Sequence, residues 1–204
     1  MEPADSGRAG STVTLWLDPV CPFSWNTARW IRAVAEKTGM SVDWQLMSLA
    51  VLNEGRELPP PQQARMRDSR KVGRLMAAIA REKGDDGWVA AYFAFGERYI
   101  DRSEPLDDGL VAHLLTTVGV RDTTAEAVSD ESLDESVRRG HQAAQDALGE
   151  TGGSPILQID GHAFFGPVLT AVPDEKDSVA LFDAIATLAA VPQFAQLQRP
   201  RAAA

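Results

Sequence analysis

Cysteine is almost absent from this chain: Cys21 stands alone among 204 residues. One thiol excludes an intramolecular disulfide framework. Basic charge is also scarce, with 20 Lys and Arg against 29 Asp and Glu and a formal net charge of −9. That balance excludes the basic stripe a nucleic-acid partner would need. No apolar run approaches the roughly 18 residues of a membrane-spanning helix. Residues 1–11 lack the basic and apolar segments of a secretory signal. They read as a disordered leader, and a soluble cytoplasmic protein is expected. The three histidines, His113, His141 and His162, fall on unrelated elements without metal-ligand spacing, so no metal site is expected. His141 reads as a surface or half-buried helix residue. There is no Gly-rich phosphate loop of the Walker or Rossmann kind.

What is present is enough apolar residue, 44% of the chain, for a sizeable core. Residues 12–17 alternate, with Val13, Leu15 and Leu17 on one face and Thr12, Thr14 and Trp16 on the other, which is the period of a strand. From Trp25 to Lys37 the apolar positions recur at helical spacing, and Gly39 supplies a stop. Residues 41–46 alternate again. Strand, helix and strand within about 35 residues predict a βαβ unit with parallel strands. Residues 49–62, with Asn53, Gly55 and Pro59-Pro60-Pro61, read as a loop. Residues 63–149 carry only helical periodicity. Met66, Val72, Leu75, Met76 and Ile79 form one stripe, ended by Gly84-Asp85-Asp86-Gly87, and Trp88, Ala91, Tyr92, Phe95 and Tyr99 form another. The second stripe reads as core packing rather than a ligand site. Asp107 or Asp108 is expected to cap a third helix, and Thr123-x-x-Glu126 and Ser132-x-x-Glu135 are capping-box patterns. The α/β pattern resumes at Gly152-Gly153-Ser154-Pro155. Residues 156–159 and 162–165 predict an antiparallel hairpin around an Asp160-Gly161 turn of type I′. A last helix is expected within 176–190, followed by a loose tail at 199–204. The expected division is therefore 12–62 and 150–198 as two parts of one α/β fold, with 63–149 as a helical insertion.

The stretch Asp18-Pro19-Val20-Cys21-Pro22-Phe23-Ser24-Trp25 joins the first strand to the first helix. Helix N-termini carry unpaired N–H groups and partial positive charge. A thiolate there is stabilised, so a lowered pKa and a nucleophilic Cys21 are expected. Pro22 suits the first helical position, where a missing N–H costs nothing.

This string resembles the Cys-x-x-Cys site of thioredoxin-fold oxidoreductases, with Ser24 in the second cysteine position. The wider string resembles the DsbA-like branch, and within it most closely the mycothiol-dependent nitroreductase group. Kappa-class glutathione transferases and 2-hydroxychromene-2-carboxylate isomerases share a related Pro-aromatic-Ser-Trp form. The likeness runs from about residue 12 to residue 198. It implies an α/β thioredoxin fold, β-α-β then β-β-α, with an inserted helical subdomain of the DsbA type. It implies a cis Ser154–Pro155 peptide lying against Cys21, with the Ser154 backbone open to a bound thiol or peptide.

Serine cannot resolve a mixed disulfide, so an outside thiol must release Cys21. The resemblance makes that thiol mycothiol first and glutathione second, a cosubstrate rather than a tightly bound cofactor. Cys21 and Ser24 are the expected catalytic residues. Pro22, Phe23, Trp25, Asn53, Ser154 and Pro155 are expected to bind thiol or substrate, Asn53 by likeness to the transferase-like relatives. The substrate is a small molecule or a disulfide, and the protein a monomer or homodimer. Two alternatives stay open. In one, Ser24 activates a bound thiol for conjugation or isomerisation, with Cys21 a bystander. In the other, the chain is a non-catalytic thioredoxin-fold binding module.

Overall fold

The computed structural model describes residues 11–200. The first ten residues of the leader expected over 1–11 and the last four of the tail expected over 199–204 lie outside the described residues. Four strands form one mixed sheet in the order β2-β1-β3-β4. β1 (Val13–Leu17) pairs parallel with β2 (Val42–Leu46), joined by α1 (Pro22–Thr38). β3 (Ile156–Ile159) pairs antiparallel with β1, Leu15 facing Leu157, and β4 (His162–Phe165) closes the hairpin. Asp160 and Gly161 both have positive φ, 49° and 85°, as a type I′ turn requires. α6 (Glu175–Ala189) returns against α1, with the Trp30 Nε1–H donating to the Ser178 carbonyl at 2.9 Å.

Between β2 and β3 the chain is helical, but it starts earlier than the spacing predicts. Residues 49–62 are not a continuous loop. α2 (Leu49–Leu52) forms a single turn, its Val51 N–H bonded to the Ser48 hydroxyl. α3 (Pro60–Gly96) then begins inside the proline run, with Pro59 at its N-cap. Prolines stop a helix in its interior but not in its first turn, whose N–H groups need no intrahelical partner. Within α3 only Gly84 leaves helical geometry (φ 71°, ψ −165°), so the expected break is a one-residue kink between two arms.

A wide π-type turn at Glu97–Asp101 leads to α4 (Asp108–Val118), capped by the Asp107 carboxylate on the Leu110 N–H at 2.9 Å. Neither capping box forms as predicted. The first pattern yields a short 3₁₀ turn at Ala125–Ser129, preceded by Thr124 rather than Thr123. Ser132 lies in a second 3₁₀ turn, Glu131–Leu133, where its N–H goes to the Asp130 carboxylate, and α5 (Asp134–Leu148) starts beyond it. Asp130 offers a local hydrogen bond that competes with the box.

One buried cluster joins the sheet to these helices: Val13, Leu15, Leu17 and Leu157 meet Val72, Leu75, Tyr92, Phe95 and Val137. The opposite face of β1 is covered too. Trp16, placed by alternation with Thr12 and Thr14, is buried with Met47, Ala144 and Ile156. His141 is also buried, because Val137, His141 and Ala144 share the inward face of α5. No helix among the described residues is long and apolar enough to cross a membrane.

Candidate active site

The end of β1 turns inward. Asp18 is fully buried, and its carboxylate accepts three hydrogen bonds. Oδ1 takes the Val20 N–H at 2.8 Å, and Oδ2 takes the Leu49 N–H at 2.6 Å and the Ser69 hydroxyl at 2.5 Å. The turn before Cys21 is thus stitched to α2 and to the first arm of α3. Burial raises the Asp18 pKa, against the pull of those three donors.

Cys21 is the N-cap of α1 in extended conformation (φ −85°, ψ 115°), and Pro22 is the first helical residue. The Cys21 carbonyl accepts the Trp25 N–H at 3.0 Å, so the helix starts at the thiol itself. The side chain does not face solvent. Cys21 is 4% exposed, and its thiol donates to the Ser154 carbonyl at 3.3 Å. Burial pushes the thiol pKa up. The Ser24 hydroxyl and the Ser24 and Phe23 N–H groups pull it down, and the nearby Asp18 charge pushes it up again. The lowered pKa expected from position alone is therefore corrected. The helix start is as predicted, but desolvation outweighs its donors while the thiol is enclosed.

Ser24 and Ser154 are buried together, their hydroxyl oxygens 2.6 Å apart, and the Asp18 N–H donates to the Ser154 hydroxyl at 2.8 Å. The Ser154–Pro155 peptide is cis. Gly166–Pro167 is cis as well, a feature the sequence reading did not single out. Its loop is held to α1, with Thr27 donating to the Pro167 carbonyl at 2.8 Å and Asn26 to the Leu169 carbonyl at 2.9 Å.

The remaining predicted residues divide. Pro22 and Phe23 are half-buried beside the thiol. Trp25 is core. Its ring packs on Tyr92 and Phe93, it lies so close to Gly96 that a Cβ there would sit 2.4 Å from it, and its Nε1–H donates to Asp101 at 2.8 Å. Asn53 follows α2 as its C-cap, with its amide on the Leu49 carbonyl at 2.8 Å rather than on the thiol.

Two residues at the site had no reading as site residues. Asp18 was visible only as part of the motif, and its burial depends on Leu49 and Ser69 from other elements. Tyr92 was read as core, and at 1% exposure it is. Yet its hydroxyl has no hydrogen-bond partner among the described residues and feels the charges of Cys21, Asp18 and Arg29. Phe165, 48% exposed, rims the site beside Gly153. Among the described residues no group of three or more His, Cys, Asp or Glu is placed to hold a metal.

Comparison with known proteins fits this geometry. The chain is 31% identical over 197 residues to the uncharacterized protein Rv2286c of Mycobacterium tuberculosis, covering 95% of this chain and 84% of that protein. Among solved structures it is similar to 2-hydroxychromene-2-carboxylate isomerase (TM-score 0.58, 16% identity, 87% of this chain and 95% of that one). It is also similar to the cytosolic disulfide reductase DsbM from Pseudomonas aeruginosa, solved with GSH (TM-score 0.57, 15% identity, 85% and 98%). At such identities these structures establish the fold alone, a DsbA-like thioredoxin fold with its helical insert. A family model matches residues 20–199, from the residue before Cys21 through the insert and the hairpin, and the chain belongs to the Rv2466c-like family, described as mycothiol-dependent nitroreductase Rv2466c.

Proposed function

We propose that the chain is a thiol-dependent reductase that uses Cys21 as its single nucleophile and a small external thiol, mycothiol in the first instance, to complete the cycle. The observation that carries this is the pairing at the start of α1. A thiol stands at the N-cap, a serine stands where a resolving thiol would be, and the chain holds no other cysteine. Cys21 and one external thiol together give up two electrons and two protons and become a mixed disulfide. The acceptor takes them up; a nitro group, which the family description suggests, becomes a nitroso group and water. A second external thiol attacks the mixed disulfide, freeing Cys21 and leaving as the symmetrical disulfide. Ser154, whose carbonyl accepts the Cys21 thiol, and Pro22, Phe23, Trp25, Asn53 and Pro155 are the residues proposed to meet the small thiol or substrate. A cytoplasmic setting, where such a thiol stays reduced, suits this cycle.

Turnover of a nitroaromatic acceptor should require added thiol and fall by at least about a hundredfold in Cys21→Ser. Mass spectrometry after mixing with oxidised thiol should find a single adduct on Cys21. Full thiol-dependent turnover in Cys21→Ser would instead favour the Ser24-centred transferase reading. No thiol chemistry in either protein would leave the binding module.

A further inference from the structure

Cys21 lies between two segments, the start of α1 and residues 154–155, and is 4% exposed. Residues 167–173 tie those two segments together. They leave β4 beside Ser154, where the Gly166 N–H donates to the Pro155 carbonyl at 2.8 Å and the Phe165 ring lies against Gly153. They then cross to the second turn of α1 and run on to α6. Among the described residues, no backbone–backbone hydrogen bond involves residues 167–173. Side chains of the two helices hold the loop instead. Thr27 donates to the Pro167 carbonyl at 2.8 Å, Asn26 to the Leu169 carbonyl at 2.9 Å, and Ser178 to the Pro173 carbonyl at 3.3 Å. Leu169 and Val172 are only partly buried, and Thr170 and Ala171 are exposed. A segment with no ladder of its own and so few fastenings opens more readily than the sheet and helices around it.

Asn26 stands one helical turn from Pro22 and Phe23, on the same face of α1. Of the three fastenings it is the one whose own orientation is set. Its Oδ1 accepts from Arg29 Nη2 at 3.0 Å, while its Nδ2 donates to the loop. Turning the amide over would set donor against donor and acceptor against acceptor, so Arg29 fixes which end meets Leu169. Arg29 is held in turn by the insert. Its Nη1 lies 3.4 Å from Asp101 Oδ2, the other Asp101 oxygen accepts the Trp25 Nε1–H, and its guanidinium stands 4.9 Å from the centre of the Trp25 ring. Insert and loop thus meet at Asn26 through Arg29.

We propose that Asn26 is a specificity-determining residue: by latching residues 167–173 across the Cys21 end of α1, it limits the size of the thiol or acceptor that reaches the sulfur. This rests on the reading of Cys21 as the reacting group. A small molecule passes through side-chain fluctuations at the rim. A bulky one reaches the sulfur only while the Leu169 carbonyl is away from Asn26. The latch leaves the chemistry at the sulfur alone and acts on the fraction of time the loop stands open.

The test compares two reagents that share a reactive group and differ in bulk, N-ethylmaleimide and fluorescein-5-maleimide, on the folded full chain at neutral pH. Cys21 is the only thiol, so each rate reports one site. Asn26→Ala should raise the fluorescein-maleimide rate about three- to tenfold, the loss of one neutral hydrogen bond, and leave the N-ethylmaleimide rate within about twofold. Asn26→Asp keeps the size of the side chain and an acceptor for Arg29 but has no proton to give the Leu169 carbonyl, so it should act in the same way. Loss of packing alone would leave Asn26→Asp like the wild type. A change in the amount of thiolate would move both rates together, so the ratio of the two isolates access. A ratio unchanged in either folded variant, or equal acceleration by both reagents, would overturn the proposal. Circular dichroism establishes that each variant is folded, and if one is not, the other decides. Labelling needs no turnover, so the two readings fail separately. Turnover retained in Cys21→Ser removes the nucleophile, whereas an unshifted ratio removes only the latch.

Discussion

At Asp18 the folded carboxyl has its pKa raised above the ordinary 3.8 by burial, despite three hydrogen bonds. Between that value and the folded one, the native state holds a proton that the unfolded chain has released. Stability from this group must then fall as pH rises through that window. Asp134 and Glu54 run the other way. Hydrogen bonds from Arg74 and Arg138 lower their pKa values, so their contributions are present above the unfolded values and fade as pH falls through the folded ones. Glu82, at about 2 from the loop N–H of Arg121, behaves likewise. Denaturant melts of wild type minus Asp18→Asn isolate the first group. That difference should drop as pH rises from about 4 toward neutral, and a pH-independent difference would mean that Asp18 does not titrate there. For the thiol, alkylation at pH 6 should be slow and its midpoint above the ordinary thiol value, since burial outweighs the helix start. Fast alkylation at pH 6 would show that the donors win. Cys21 and Ser24 could be placed at a helix start from adjacent residues, while Ser154 came only from the family resemblance. The enclosure of Cys21 and the bonding of Asp18 could not be read at all, because they depend on Leu49, Ser69 and Tyr92, brought in from elements far along the chain.

Elements with a clean period were legible to within a residue or two: β1, β2, the hairpin, α1 and α6. The misreadings came where one residue type serves two ends. Pro60 and Pro61 break a helix interior but open α3, and the Gly84–Gly87 run looked like a stop while only Gly84 bends. Trp16 alternates onto the face of Thr12 and Thr14, and that face is buried because Ala144 of α5 packs on it. The contact between α5 and β2 depends on one small residue. A Cβ at Gly140 would lie 2.4 Å from the Leu46 carbonyl oxygen, a backbone atom with little freedom to yield. Gly140→Ala should therefore destabilise the protein by about 1–3 kcal/mol in denaturant melts, even though alanine is the better helix former. A stabilised variant would mean that α5 shifts off β2 without loss.

Across the whole molecule, the division into 12–62, 63–149 and 150–198 describes the order of the chain better than its cohesion. Sheet residues Leu15, Leu17 and Leu157 share one buried cluster with Val72, Leu75 and Tyr92 of the insert. Asp18 bonds to Ser69, and Trp25 packs against Gly96. An insert joined this way has no separate core to fold around, so unfolding should be a single transition. Two probes read different parts of it. Far-UV circular dichroism follows mainly the helices, many of them in the insert, while denaturant-dependent labelling of buried Cys21 follows the seam between insert and sheet. The two midpoints should coincide. Labelling at clearly lower denaturant would mean that the insert lifts from the Cys21 end as a unit before the sheet melts. In that case a bulky thiol would reach the sulfur by a sub-global opening. Coincident midpoints instead assign access to local movement around Phe23, Phe165 and the loop after β4, the half-buried and exposed groups that rim the site.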